Sequence, residues 1–328
     1  MKFRLIDLPR PVNLPEYQDS IAEILRILGK QDAVKSVFRI GGVSSPGISD
    51  IDLYVVFRNG TSYLENPVKQ LKGTASYLFT HNLFGTEESF AVQMEPYTFF
   101  GKYDLLQGES VNMKQYELPA AEVGIVEKQV ALEYLAKAFL SISVSMGSGI
   151  IKARNILLHA KALLLDLRLL GIETIPESSP IHSIVNLRNR WYSDAQPEKE
   201  LQSLIIPYQK ALAAILQKAI KEHRFYVMPD TNMTVAKNMR LTDHQEIKVR
   251  NKGLQVPGFL TTHSKRFLQL HRKFGRHELS LPLTTGNIPG VLVKRTQLFR
   301  NAELLNKERF PGFLPTAYGL HLFKPVHS

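Results

Sequence analysis

The segment from Phe38 to Phe57, Phe-Arg-Ile-Gly-Gly-Val-Ser-Ser-Pro-Gly-Ile-Ser-Asp-Ile-Asp-Leu-Tyr-Val-Val-Phe, constrains this chain more than any other. Two apolar runs rich in Val, Ile and Phe flank a small-residue turn, which reads as strand, Gly-rich connection, strand. In the second strand side chains alternate faces, so Asp50 and Asp52 share one side while Ile51, Leu53 and Val55 point to the other. Two carboxylates on one face repel each other unless a cation lies between them. Hard oxygen ligands two residues apart suit Mg²⁺, which binds through one or two carboxylates plus substrate phosphates. Gly41 and Gly42, at the end of the first strand, let backbone approach a ligand closely, and exposed amides there can cradle a phosphate.

Gly41, Gly42, Ser49, Asp50 and Asp52 resemble a known pattern, Gly-Gly/Ser followed by Ser-Asp-x-Asp on a strand. It is the signature of the DNA polymerase beta-like nucleotidyltransferase superfamily, and the resemblance covers the first third of the chain. It implies a site for Mg²⁺ or Mn²⁺ on Asp50 and Asp52 and for a nucleoside triphosphate, with ATP the default. The triphosphate would lie near Gly41, Gly42, Ser44 and Ser49. The superfamily usually adds a third metal-binding carboxylate on a strand after the next helix; Glu95, ending the run Phe90 to Glu95, is the first candidate and Asp104 the reserve. Related transferases also hold the triphosphate with a basic residue on a helix beyond the sheet, a role that Lys152 resembles, with Arg154 as second choice. One departure stands out: only seven residues separate Gly42 from Asp50, so a turn is expected where the family has a short helix.

Around this segment the pattern describes an α+β fold. Ile21, Ile24, Leu25 and Leu28 make an amphipathic helix over residues 16–30, closed near Gly29. A second helix is expected over 66–83, with Val68, Leu71, Ala75 and Leu78 inward, then strands at 89–94 and 97–106. The result is a small mixed β-sheet domain with helices on one side, residues 1–118. A mainly helical domain follows over 119–225. It opens on two long Ala- and Leu-rich helices broken at Gly147-Ser148-Gly149, which place Lys152 in the first turn of the second. Pro176, Pro180 and Pro197 mark a connection, and another helix runs to His223.

Charge separates the last third from the rest. Residues 221–328 carry 18 Lys and Arg against 7 Asp and Glu, a surplus equal to the whole net charge of +11. A basic surface attached to an acidic catalytic module suits an anionic partner, nucleic acid being the commonest, and RNA is the partner to expect here. Within this extension, residues 226–328, a helix at 263–277 would turn Phe267, Leu270 and Phe274 inward. Lys265, Arg266, Arg272 and Lys273 would then contact phosphate. The histidines of this region match no zinc-binding spacing. Zero cysteines exclude disulfides and thiolate chemistry and fit a cytoplasmic protein. Met1 to Arg10 lacks an apolar signal core, and charges interrupt the apolar segments, so no membrane contact is expected.

The expectation is therefore a metal-dependent transferase that moves a nucleoside monophosphate from a triphosphate to an acceptor hydroxyl. RNA, a small molecule such as an aminoglycoside, a second nucleotide and a protein side chain are all open as the acceptor, because acceptor pockets carry no portable motif. A catalytically inactive relative that binds RNA is the alternative from another class.

Overall fold

The computed structural model describes residues 3–172, 176–228, 233–236, 239–254, 256–316 and 324–325. In chain order the elements are β1 (Arg4–Ile6), α1 (Leu14–Leu28), β2 (Val34–Arg39), β3 (Leu53–Phe57), α2 (Gly73–Leu78), β4 (Phe84–Glu87), α3 (Glu88–Met94) and β5 (Asp104–Gly108). Next come α4 (Ala120–Ser148), β6 (Ile150–Lys152), α5 (Ala153–Leu169), α6 (Pro180–Asn189) and α7 (Pro197–His223). The last part holds β7 (Met233–Ala236), β8 (Met239–Asp243), β9 (Lys248–Asn251), α8 (Gly258–His263), α9 (Lys265–Phe274), β10 (His277–Leu281), α10 (Gly290–Arg309) and β11 (Lys324–Pro325). The class is α+β, mixed sheets with a large helical part.

Two compact units divide the chain. The described residues of 10–123 and 293–316 form a sheet unit, and those of 1–9, 124–292 and 322–328 form a helical unit. This division differs from boundaries at 118 and 225, because the chain returns to its first sheet. Phe310 and Phe313 enter the core beside Phe57, with the Phe57 and Phe310 rings stacked at 4.2 Å. Leu314 donates its N–H to the Leu83 carbonyl and accepts from Gly85, so the returning chain runs along β4. No local pattern announces such a pairing, since it joins residues far apart in sequence.

The sheet unit holds a four-stranded sheet in the order β4-β3-β2-β5, with β3 parallel to β4 and the other pairs antiparallel. The central strand β3 is buried throughout. Leu53, Val55 and Phe57 pack on one face with Ile24 and Leu28 of α1 and Ala75 and Leu78 of α2. Tyr54 and Val56 pack on the other with Ala91 and Val92 of α3. Helix α1 starts in a capping box made by Asn13 and Glu16 and ends at Gly29, which ties its position on the sheet to a fixed first turn.

Three expected elements differ. The helix over 66–83 is broken into a 3₁₀ turn at Pro67–Gln70 and the short α2, because Gly73 sits at φ 56° and interrupts helical geometry. The strand expected at 89–94 is helix α3, and the strand lies just before it, at β4. Gly85 permits that strand: a Cβ there would lie 2.4 Å from the Val55 carbonyl oxygen. The strand expected at 97–106 begins only at Asp104.

In the helical unit the two long helices form as α4 and α5, and β6 between them pairs in parallel with β1. A five-stranded sheet in the order β11-β7-β8-β10-β9 lies in the same unit. Helix α4 is the one described helix long and apolar enough to cross a membrane, and 56% of that window is buried, the packing of a core helix. Helix α9 forms as expected but faces the other way. Phe267, Leu270 and Phe274 are each about 40% exposed, at 39%, 41% and 45%, while His271 is buried.

Candidate metal and nucleotide site

The sheet unit converges on the ends of β2 and β3. Ile40 donates its N–H to the Asp52 carbonyl at 3.2 Å, which carries the antiparallel pairing one step beyond the strands. Gly41 then passes across the Asp52 side chain, where a Cβ would meet Asp52 Oδ2 at 3.2 Å. The next residue, Gly42, has open space where a side chain would be. Gly41, Gly42 and Ser44 are all exposed, so this backbone is available to a ligand.

Residues 43–49 form a turn and no helix, as the short spacing requires. Ser49 N–H donates to the Ser45 carbonyl at 2.8 Å, and Ser45 N–H donates to Ser49 Oγ at 3.2 Å. Ile48 is fully buried beneath the turn. Tyr17 of α1 donates its hydroxyl to the Ser49 carbonyl, and Tyr77 of α2 donates to the Gly47 carbonyl. The turn is therefore clamped from two helices, which fixes where Asp50 begins. Ser49, expected to touch nucleotide, is buried and uses its hydroxyl to close the turn.

Asp50 and Asp52 precede β3, with Ile51 between them in the core beside Leu53 and Val55, so the alternation read from sequence holds. Ile51 also donates its N–H to the Leu78 carbonyl at the end of α2. Because β4 is the parallel neighbour of β3, the residues leading into both strands lie side by side. That juxtaposition delivers Thr80 and His81. Thr80 Oγ1 donates to Asp50 Oδ2 at 2.7 Å, and His81 Nε2 lies 3.1 Å from Asp52 Oδ1. One ligand atom from each of Asp50, Asp52 and His81 falls within 4.8 Å of the others, a grouping that could hold a metal ion. The His81 ring is held by Phe84 at 4.7 Å and by Nδ1, 2.7 Å from the Asn82 carbonyl.

The electrostatics suit a cation. Burial, and then the Asp52 charge, raise the Asp50 carboxyl above its ordinary range against the Thr80 hydrogen bond and His81. Burial disfavours a charged His81, yet the hydrogen bond and charge of Asp52, with the Asn82 carbonyl and Asp50, outweigh it and raise the imidazole.

The candidates for a third carboxylate stand elsewhere. Glu95 opens a 3₁₀ turn after α3 instead of ending a strand, and burial raises its carboxyl against the pull of Lys114. Asp104 lies on β5, separated from β3 by β2, and is bound to Lys102 and Arg39 at 2.5 and 2.9 Å. Those hydrogen bonds hold its carboxyl below the ordinary range. Among the described residues neither joins Asp50 and Asp52 in a metal-ligating group; His81 does.

Lys152 and Arg154 belong to the helical unit. Lys152 caps α5 in an extended conformation instead of lying in its first turn, is exposed, and lines a cavity of about 330 Å³ with Asn155 and His159. Arg154 is buried, its backbone N–H donating to the Asp7 carbonyl. On α9, Arg266 and Lys273 are exposed, whereas the side chains of Lys265 and Arg272 lie outside the described residues.

Sequence reasoning missed His81. The available signal was Leu83-Phe84-Gly85-Thr86, whose assignment as the strand after α2 would have put residues 80–82 level with the aspartates. No family model, curated protein or solved structure matches the chain.

Proposed function

We propose that the protein is a divalent-metal-dependent nucleotidyltransferase acting on a nucleoside triphosphate, with ATP the first to test. The observation that carries this reading is the convergence of Asp50, Asp52 and His81 beside the Gly41-Gly42 backbone at the open end of a mixed sheet. The residues fit a metal: two carboxylates and an imidazole supply ligand atoms within one ion's reach, and repulsion between the carboxylates rewards a cation. When bound, the ion would neutralise charge on the triphosphate and its departing pyrophosphate.

The chain's own residues set the geometry. Asp50 and Asp52 would hold the ion, the clamped turn fixes them relative to Gly41 and Gly42, and the exposed backbone there would receive phosphate oxygens. An acceptor hydroxyl attacks the α-phosphorus, a new P–O bond forms, and the bond to the β-phosphate oxygen breaks. The acceptor proton passes to a site carboxylate. Support for a single-stranded RNA acceptor comes from α9, where exposed Phe267 and Phe274 stand on the same helix as exposed Arg266 and Lys273. Aromatic faces stack bases while cations follow the backbone. A cytoplasmic location accords with the absence of cysteine.

The second reading is an inactive nucleotide- or RNA-binding protein, favoured by the lack of a third carboxylate among the described residues of the site. Incubation with α-labelled triphosphates, a divalent ion and RNA, aminoglycoside, nucleotide and protein acceptors separates the two. Label transfer that is lost in Asp50→Asn and Asp52→Asn supports the transferase. Metal-dependent triphosphate binding with no transfer to any acceptor supports the binding protein.

A further inference from the structure

Resting on the metal-site reading above, we propose that His81 is a third metal ligand and that the Asp50–Asp52–His81 set takes Mn²⁺, or another divalent first-row transition ion, in preference to Mg²⁺.

Both nitrogens of the His81 ring face acceptors. Nδ1 lies 2.7 Å from the Asn82 carbonyl oxygen, which can only accept, so Nδ1 carries a proton and donates it. Nε2 lies 3.1 Å from Asp52 Oδ1, a second acceptor. Nε2, an Asp52 oxygen and an Asp50 oxygen thus converge within 4.8 Å of one another, and a divalent ion shared by the three would take the place of a proton between Nε2 and Asp52. The orientation is also that of metal-binding imidazoles generally, whose other ring N–H is donated to a backbone carbonyl or carboxylate that fixes the tautomer. Phe84 packs on the ring at 4.7 Å and limits its rotation, so the nitrogen is aimed before any ion arrives.

Ligand type then determines the choice of ion. Mg²⁺ prefers oxygen ligands, demands near-octahedral geometry and retains several waters, whereas imidazole suits transition ions, and affinity at mixed N and O sites increases along the first row. Replacing an oxygen ligand by His81 moves this site toward Mn²⁺. Thr80, which holds Asp50 Oδ2 at 2.7 Å, leaves the other oxygen of that carboxylate for the ion.

The test uses the full chain at fixed pH and ionic strength, with Mn²⁺ and Mg²⁺ alone as probes. Electron paramagnetic resonance reads bound Mn²⁺ and its displacement by Mg²⁺, and electron spin-echo modulation reads nitrogen coupled to the manganese. The wild type should bind Mn²⁺ at least about tenfold more tightly than Mg²⁺ and show imidazole nitrogen coupling. His81→Ala should lose that coupling and weaken Mn²⁺ binding by about 10- to 100-fold, with a much smaller change for Mg²⁺. His81→Asp should narrow the gap between the two ions. Manganese bound in the wild type without nitrogen coupling, or an unchanged ion ratio in His81→Ala, overturns the proposal while leaving the aspartate site and the transferase reading intact. Failure of both ions to bind the wild type overturns both. The spin-echo readout on the wild type decides the matter even if a variant does not fold.

Discussion

Removing the Phe310 ring should destabilise the sheet unit by about 4 kcal/mol, the middle of the range for Phe→Ala in a core. Phe310 has no exposed surface, stacks on Phe57 at 4.2 Å with 12° between the ring planes, and shares that neighbour with Phe313 at 4.8 Å. Burying about 150 Å² at about 25 cal/mol per Å² gives close to 4 kcal/mol, and the ring pair adds about 1 kcal/mol. A compact unfolded chain lowers the first figure somewhat, so the two corrections nearly cancel. Against a total stability of about 5–15 kcal/mol the loss is large. Hydrogen exchange at the β3 amides, Tyr54 to Val56, reads it directly: their protection should fall about a thousandfold in Phe310→Ala, the equivalent of 4 kcal/mol. The exposed Phe267 serves as control, and Phe267→Ala should change stability by no more than about 0.5 kcal/mol. A loss under about 1 kcal/mol for Phe310→Ala would show that residues 293–316 do not build this core and would refute the reasoning.

Four further outcomes follow from named contacts. Asp50→Asn should raise the melting temperature of the metal-free protein while abolishing metal-dependent triphosphate binding, since burial and Asp52 oppose the ionised Asp50; calorimetry with and without ion measures both. Gly41→Ala should weaken metal binding, because its methyl would sit 3.2 Å from Asp52 Oδ2, and titration calorimetry would show an unchanged affinity if that approach is unimportant. Burial and then the Lys137 charge hold down the His159 imidazole to about 4. The unfolded imidazole titrates near 6.5, so between these values the unfolded chain binds a proton that the native state refuses and stability falls with falling pH, by roughly 3 kcal/mol in all. His159→Gln should flatten that part of the urea-midpoint profile, and an unchanged profile would contradict it. Single-stranded RNA binding should weaken with salt at a log-log slope of roughly −0.7 per phosphate contact, and alanine at Lys265, Arg266, Arg272 and Lys273 should flatten it by up to about three units. RNA that binds no better than a neutral polymer at low salt removes the nucleic-acid reading.

How far the sequence led is clearest at the two ends of the site. Asp50 and Asp52 were legible because strand alternation is local, and Ile51, Leu53 and Val55 share the core face as that alternation requires. The turn over 43–49 was legible from its length. His81 was not, because its place depends on β4 lying parallel to β3, a long-range pairing permitted by Gly85. The run Ser89 to Met94 has the apolar content of a strand, yet it follows Glu87 and Glu88, and acidic residues at a helix start favour the helix that forms. Helix α9 shows a different limit: its amphipathic spacing predicted a helix correctly but not its buried face, which goes to His271, beside His277 at 5.9 Å. The return of Phe310 and Phe313 to the first sheet has no local signature at all.

The central claim, a metal and nucleotide site built on Asp50 and Asp52, is tested most directly by crystals grown with Mn²⁺ and a non-hydrolysable triphosphate, using the manganese anomalous signal. The account predicts a manganese peak bounded by Asp50, Asp52 and His81 Nε2, with phosphate oxygens against the Gly41 and Gly42 amides. Manganese and triphosphate bound together at any other place on the chain would contradict it.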